Sequence, residues 1–439
     1  MKPMTKEDVK AECKKKNIKF IRLCFTDIQG KLKSLALSYR ELEDALDRGA
    51  GFDGSSIEGY RDIEESDMLA SPDPETFSIL PWQEGVATMF CDIYTPDKKP
   101  YPGDPRQILK RQLDIAKDMG YTFYLGPEIE YFYFKDDSST TMLDRAGYFD
   151  LEHLDITSQI RKETVLTLES MGIGVECDHH EVAPSQHEID IQYNEALKMA
   201  DMVQTYKAVV KEIARKNSIY ATFMPKPVYG INGSGMHTHV SFFKNGTNAF
   251  WNKDKDYCIS EAGRHFIAGV LKHAKEFCSL TNPSINSYKR LVPGYEAPVY
   301  IAWSKANRSA LVRIPDFRPG DEKATRMELR NPDPCGNPYL QFASIIASGL
   351  EGVKNKYELC EAVDKNIYEM SKEEKEKLSI PTLPESLGEA IEITARSKLM
   401  QKTLGEHTFE RFIEIKRREW DEYRKQVTDY EIRTLLPEF

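Results

Sequence analysis

Apolar and polar positions alternate with period two in several short runs before residue 95. Phe20-Ile21-Arg22-Leu23-Cys24-Phe25 and Ala87-Thr88-Met89-Phe90-Cys91-Asp92-Ile93 read as strands, and one short helical pattern falls near 39–48. The pattern changes at Thr95-Pro96-Asp97-Lys98-Lys99-Pro100-Tyr101-Pro102-Gly103-Asp104-Pro105, where four prolines in ten residues forbid a helix and suit an extended linker. Beyond it, helix-spaced apolar positions around 105–119, 157–171, 195–216, 260–279 and 338–358 alternate with strand-like runs. The tail from Phe412 to Tyr430 reads as a charged helix with Ile413, Trp420 and Val427 spaced by seven, leaving open whether it packs on its own core or on another subunit. A chain of 439 residues exceeds one ordinary core, so a small mixed-sheet domain over 1–104 and a larger domain over 105–439 are expected.

The most telling run lies in the second region. Gly126-Pro127-Glu128-Ile129-Glu130-Tyr131-Phe132-Tyr133-Phe134 sets two glutamates at i and i+2 among aromatic and apolar residues. On a strand they share a face, roughly 7 Å apart at the backbone. Buried together, such carboxylates repel and take up protons unless a hard divalent cation gathers their oxygens. Two readings stay open, a metal site or an exposed strand face with two solvated acids. Glu176-Cys177-Asp178-His179-His180-Glu181-Val182-Ala183-Pro184-Ser185-Gln186-His187-Glu188 packs four acids and three histidines into thirteen residues, which an ordinary polar loop also does. In Asn232-Gly233-Ser234-Gly235-Met236-His237-Thr238-His239-Val240-Ser241-Phe242 a glycine turn enters an alternating strand. His237, His239 and Ser241 share one face, with Met236, Thr238, Val240 and Phe242 on the other. Metal ligands, phosphate donors and a plain surface pair all fit. Arg326-Met327-Glu328-Leu329-Arg330 groups two arginines around a glutamate, the usual pattern of a surface ion-pair row.

Composition narrows the partners. The chain is 40% hydrophobic and 30% charged, with 60 basic against 70 acidic residues and a net charge of -10. No Lys/Arg cluster interleaves with aromatics, so nucleic acid is not expected as a partner. Neither a leader segment nor a run of membrane-spanning length is expected. Eight scattered cysteines without CxxC spacing read as reduced thiols of a cytoplasmic protein. There is no GxxxxGK[ST] loop, and Gly230, Gly233 and Gly235 fall in the wrong order for a dinucleotide fingerprint.

In this order and spacing, the four tracts resemble the glutamine synthetases of the bacterial and archaeal class I type, in the shorter, non-adenylylated subtype. Phe52-Asp53-Gly54-Ser55-Ser56, Phe223-Met224-Pro225-Lys226-Pro227, Lys289-Arg290-Leu291-Val292-Pro293-Gly294-Tyr295-Glu296-Ala297-Pro298, Asn307-Arg308-Ser309, Arg313-Ile314-Pro315 and Asn331-Pro332-Asp333-Pro334 extend the match from about residue 20 to the C-terminus. The resemblance implies an α+β fold, with a small N-terminal β-grasp domain and a larger catalytic domain whose curved antiparallel sheet is flanked by helices. It implies ATP-dependent ligation of ammonia to L-glutamate, giving L-glutamine, ADP and phosphate through γ-glutamyl phosphate. Glu130, Glu181 and Glu188 match the ligands of one divalent ion; Glu128, His237 and Glu328 match those of a second. Two or three Mg²⁺ ions per subunit are implied, with Mn²⁺ as a substitute. Tyr193 and Arg326 match residues against adenine, and Glu176, His239, Ser241, Arg313 and Lys323 match residues near ribose or phosphates, although Tyr193 by its own pattern reads as a core aromatic. Arg290 and Arg330 match contacts to glutamate carboxylates, and Asn232 and Gly233 contacts to the amino acid. Arg308 matches the arginine on the transferring phosphate, Asp53 the residue that takes a proton from ammonium, and Glu296 the acid of a closing flap. The implied assembly is a homododecamer of two hexameric rings with shared active sites, Asp53 serving its neighbour, and with a small regulatory protein as a candidate partner.

A γ-glutamyl-amine ligase shares this fold, but Asp53 and Glu296 together favour ammonia. A non-catalytic relative would not need all six metal positions, and a guanidino kinase would need neither Asp53 nor the Gly-Tyr-Glu flap. Tyr368, in Asn366-Ile367-Tyr368-Glu369-Met370, stands where some class I enzymes are adenylylated, but without the Asp-Leu-Pro that follows there, so ordinary packing is expected of it. After Ser55-Ser56-Ile57-Glu58-Gly59-Tyr60, Arg61 is displaced by one from the arginine linked to glutamine feedback, which puts that feedback in question.

Overall fold

The computed structural model describes residues 3–59, 66–151, 155–305, 307–316, 318, 320–378 and 380–439; Arg61 and Asp62 lie outside them. The first sheet holds β1 (Phe20–Thr26), β2 (Leu32–Ser38), β3 (Ala50–Asp53), β4 (Asp67–Pro72), β5 (Ser78–Ile79) and β6 (Val86–Tyr94), in the order β2-β1-β6-β4-β3 with β5 also on β6. β1 and β6 run parallel and the other pairs antiparallel. Buried Val9 and Cys13 of α1 (Lys6–Lys15) and Leu42, Ala45 and Leu46 of α2 (Leu42–Arg48) join Ile21, Leu23, Met68, Met89 and Ile93 of the sheet in one core. Thr5 starts α1 by a capping box with Asp8, which satisfies donors at both positions. This is the β-grasp unit.

The second sheet is larger and curled. Its strands are β7 (Thr122–Phe134), β8 (Val175–His180), β9 (Gln186–Ile191), β10 (Asn194–Glu195), β11 (Tyr220–Thr222), β12 (Met236–Lys244), β13 (Thr247–Asn248), β14 (Tyr300–Ser304), β15 (Ala310–Arg313) and β16 (Met327–Leu329). The order is β14-β15-β16-β12-β7-β9-β8, and only β14 with β15 is parallel among the described pairs. β7 changes partners along its length. Thr122–Ile129 pair with β12, while Glu130, Tyr131 and Phe132 pair with β9. Glu128 and Glu130 therefore straddle the point where the ladder switches.

Helices α3 (Pro105–Asp118), α4 (Ser158–Ser170), α5 (Ala196–Lys216), α6 (Glu261–Thr281), α7 (Ser287–Arg290) and α8 (Pro338–Asn355) flank this sheet. α6 and α8 approach closely because Gly269 and Gly352 face each other: a Cβ on Gly352 would lie 2.1 Å from the carbonyl of His265. Asn337 caps α8 through Oδ1, and its Nδ2 donates to the Asp27 carbonyl at 2.9 Å, tying α8 to the end of β1.

The proline-rich segment is not an extended spacer. Lys98 takes φ +60° and Thr95 N donates to Lys99 O at 2.9 Å, closing a tight turn. Tyr101 is buried and its hydroxyl lies 2.9 Å from His407 Nε2. Just beyond, buried Arg106 contacts Asp92 of β6, Asp73 just past β4 and, in a bidentate pair at 3.0 and 2.9 Å, Asp201 of α5. The tail differs too. After α9 (Lys372–Lys377), α10 (Leu387–Thr394) and α11 (Lys398–Leu404), α12 runs over Glu406–Tyr423 and α13 over Asp429–Leu435. Ile413 is buried, but Val427 is 72% exposed in the break, because a Thr428–Glu431 capping box starts a new helix. The eight cysteines are free, and no helix among the described residues is long and apolar enough to cross a membrane.

Candidate active site

Strand register assembles the site. Across adjacent strands, Glu328 of β16 pairs with His239 of β12, His237 with Glu128 of β7, Glu130 with Glu188 of β9, and Glu188 with His179 of β8. One polar row thus crosses five strands. Alternation puts the apolar partners behind it, with Met236, Thr238, Val240 and Phe242 buried. The crowded Glu176–Glu188 tract divides by the same rule. His179, Glu181 and Glu188 group in front, whereas His180 and His187 join Asp144, Asp155 and Arg161 in a separate buried network.

The row holds two groups of opposite electrostatic character. In the first, Glu128 accepts from His239 Nε2 at 2.7 Å and lies 3.3 Å from His237 Nδ1, which is 3.7 Å from Glu328. Arg326 Nε donates to His239 Nδ1 at 3.0 Å, which leaves the His239 proton on Nε2, facing Glu128. Glu328 is fully buried between Arg313 and Arg330, which contact its two oxygens. Burial pushes the carboxyls of Glu128 and Glu328 up, but His239 and His237 hold the first well below its ordinary value, and Arg330 with both histidines holds the second below its own.

The second group lacks that compensation. His179 stands between Glu181 and Glu188, at 3.5 and 3.3 Å. Glu130 accepts from Gln186 Nε2 at 2.8 Å and from the Gly235 amide at 2.9 Å. Burial first, then the charges of Glu130, Glu296 and Glu128, push Glu181 up to about 9. Burial, Asp190 and the other site glutamates push Glu188 well above its ordinary value. Buried acids in this state are those that a divalent cation relieves, and an oxygen-rich set with an imidazole suits a hard or borderline ion. The donor set fits such ions in both groups.

The remaining expected residues surround the row. Tyr193 is 59% exposed and meets Tyr124 edge-on at 6.0 Å, so it is not a core aromatic. Glu176 and Lys323 are exposed, and Ser241, Arg313 and Arg326 half-buried. Arg290 is buried and donates to the carbonyls of Asn331, Pro332 and Arg330 at 2.7, 3.2 and 3.2 Å. Gly233 approaches the chain so closely that a Cβ would lie 2.1 Å from Pro225 O, and its carbonyl accepts from Gln186 at 3.2 Å. Asn232 is half-buried beside it.

Asp53, Glu296 and Arg308 are exposed. The charge of Glu296 reaches Glu181, and Tyr148 is pushed up by burial and Glu181 while Arg308 opposes. Asp53 instead sits on the edge strand β3 of the other sheet, its Oδ1 accepting from Ser55 N at 2.8 Å. Sequence reasoning missed His179 and Gln186. The signal for His179 was its i, i+2 relation to Glu181, the same spacing that singled out Glu128 and Glu130.

Comparison with known proteins identifies the family. The family models described as "Glutamine synthetase, beta-Grasp domain" and "Glutamine synthetase, catalytic domain" match residues 17–96 and 102–435. The chain is 49% identical to the glutamine synthetase of Thermotoga maritima over 440 residues, covering 99% of this chain and 100% of that protein. Among solved structures it is similar to a GmaS/ADP complex (32% identity, TM-score 0.90, 98% and 99% of the two chains) and to Plasmodium falciparum glutamine synthetase (26% identity, TM-score 0.89, 98% of each). The two family models together cover most of the chain and the similarity runs over its full length, so the chain belongs to the glutamine synthetase family of enzymes.

Proposed function

We propose that this protein joins ammonia to L-glutamate at the expense of ATP, through γ-glutamyl phosphate. The observation that carries the reading is the polar row, in which five buried or half-buried glutamates converge. Glu130, Glu181 and Glu188 would hold one divalent ion and Glu128, His237 and Glu328 another, with His239 close by as a phosphate-side donor. When bound, the ions, Mg²⁺ or in substitution Mn²⁺, offset the phosphate charge of ATP.

The chain's own groups do the rest. Arg290 and Arg330 orient glutamate by its carboxylates, a task suited to the planar guanidinium, while Asn232 and Gly233 line the amino-acid side. Tyr193 and Arg326 take the adenine, with Glu176, Ser241, Arg313 and Lys323 along ribose and phosphates. A γ-carboxylate oxygen of glutamate attacks the γ-phosphorus, ADP leaves, and Arg308 steadies the transferring phosphoryl group. Asp53 accepts a proton from ammonium; the freed ammonia adds to the acyl carbon, the C–O bond to phosphate breaks, phosphate leaves, and the new amide nitrogen sheds one proton to solvent. Glu296 closes over the intermediate and keeps water from it. Because Asp53 belongs to the N-terminal unit, the site is completed by a neighbouring subunit in a dodecamer of two hexameric rings. The deciding experiment measures glutamine and phosphate with ATP, Mg²⁺ and glutamate, offering ammonium, ethylamine or putrescine in turn. Ammonium is expected to be strongly preferred; preference for a larger amine would make the chain a γ-glutamyl-amine ligase.

A further inference from the structure

Residues 291–299 join α7 to β14 and carry Glu296. Their upstream end is fixed by Arg290, buried and bonded to three backbone carbonyls. Gly294 takes φ +94°, and nothing lies within 4 Å of where its Cβ would be, so the backbone has room to pivot there. Tyr295 rests on Lys226, whose Nζ lies 3.6 Å from the ring centroid. The downstream end is fixed from a distant part of the chain. Tyr368 Oη donates to the Ala297 carbonyl at 2.8 Å, one residue past Glu296. Leu383 N donates to Val299 O at 2.8 Å, and Ile301 N to Pro381 O at 2.8 Å.

These bonds are not equivalent. The two backbone bonds hold the start of β14, whereas the Tyr368 hydroxyl reaches the residue beside the acid. Its ring is half-buried against Tyr300 at 5.8 Å between centroids, and Lys375 in turn bonds the Tyr300 hydroxyl at 3.0 Å. Asn366 caps the short turn that presents Tyr368 by accepting from its amide at 3.1 Å. The phenol is therefore aimed at Ala297 by the turn that carries it and by the Tyr300 ring.

We propose that Tyr368 is the positioning residue of the segment carrying Glu296: its bond to Ala297 sets the downstream hinge and thereby how completely Glu296 covers the reacting centre. This inference rests on the reading of Glu296 as the closing acid. The consequence lies in coupling, not in binding ATP. When cover is incomplete, water replaces ammonia at the acyl carbon of γ-glutamyl phosphate. The C–O bond to phosphate breaks, glutamate is regenerated, inorganic phosphate leaves, and the proton of the attacking water passes to solvent. ATP is then consumed without glutamine.

The test uses the full-length enzyme and Tyr368→Phe, which removes one oxygen and keeps the ring. Glutamine formed per phosphate released is measured over a range of ammonium, beside hydrogen exchange of the amides across 293–297. One neutral hydrogen bond biases such an equilibrium by roughly two- to tenfold, so at low ammonium the ratio is expected to fall by about that factor and to recover as ammonium rises. Exchange across 293–297 is expected to quicken. A ratio unchanged from wild type, or an equal loss of glutamine and phosphate, would overturn the inference by reducing Tyr368 to a packing residue. Glu296→Gln is run alongside. If it too leaves the ratio unchanged, the reading of Glu296 fails; if it uncouples and Tyr368→Phe does not, only the role of Tyr368 fails.

Discussion

Among single residues, Glu328 is the acid held most tightly within the row. It is fully buried, both oxygens are held by arginines, and His237 stands 3.7 Å away. Glu328→Ala is expected to lower glutamine synthesis by roughly a hundredfold or more at ordinary Mg²⁺ while the circular dichroism stays native; near-normal turnover would remove it from the site. Tyr368 lacks the flanking residues of a nucleotidylated tyrosine and its hydroxyl is engaged by Ala297. Mass spectrometry of protein from nitrogen-replete cells is therefore expected to find its peptide unmodified, and a stoichiometric AMP adduct would refute this. Glu128 and Glu130 were legible because acids among aromatics at i, i+2 are conspicuous. His179 was not, since adjacency to His180 concealed that successive strand residues face opposite ways. Arg326–Glu328–Arg330, readable as a surface row, is instead buried or half-buried, which no local pattern distinguishes.

Among the elements, the acid-rich group on β7, β9 and just past the end of β8 makes stability depend on pH. The Glu181 carboxyl keeps its proton up to about 9 in the folded chain, against an ordinary 4.5 when unfolded. Between those values unfolding releases a proton, so the stabilisation present below 4.5 is lost as pH rises towards 9. In the presence of a chelator the thermal midpoint is expected to fall by several degrees across this window, and excess Mg²⁺ to flatten the slope by binding the ionised carboxylates. A midpoint equally flat with and without metal would contradict the assignment. The principal helices and the strand runs at 20–25 and 87–93 were readable from periodicity, whereas the curved second sheet was expected only from the family resemblance. The proline-rich segment and the tail were not legible. Buried Tyr101 and the Arg106 ion pairs turn an apparent spacer into packed structure, and the Thr428 cap outweighs a seven-residue spacing.

Across the whole molecule, Asp53 and the row belong to different sheets, as is expected if Asp53 serves a neighbour's site. Asp53→Ala and Glu328→Ala subunits, each inactive alone, are expected to regain part of wild-type activity when dissociated and reassembled together, because some interfaces unite two intact halves. No recovery in demonstrably mixed oligomers would place the site within one chain. The central claim is that the row comprises two cation sites, one formed around Glu181 and one around Glu328. Mn²⁺ binding followed by electron paramagnetic resonance tests it most directly, on wild type, Glu181→Gln and Glu328→Ala. At least two tight ions are expected per wild-type chain, with each substitution abolishing a different one; full wild-type stoichiometry in both variants would overturn the two-site assignment.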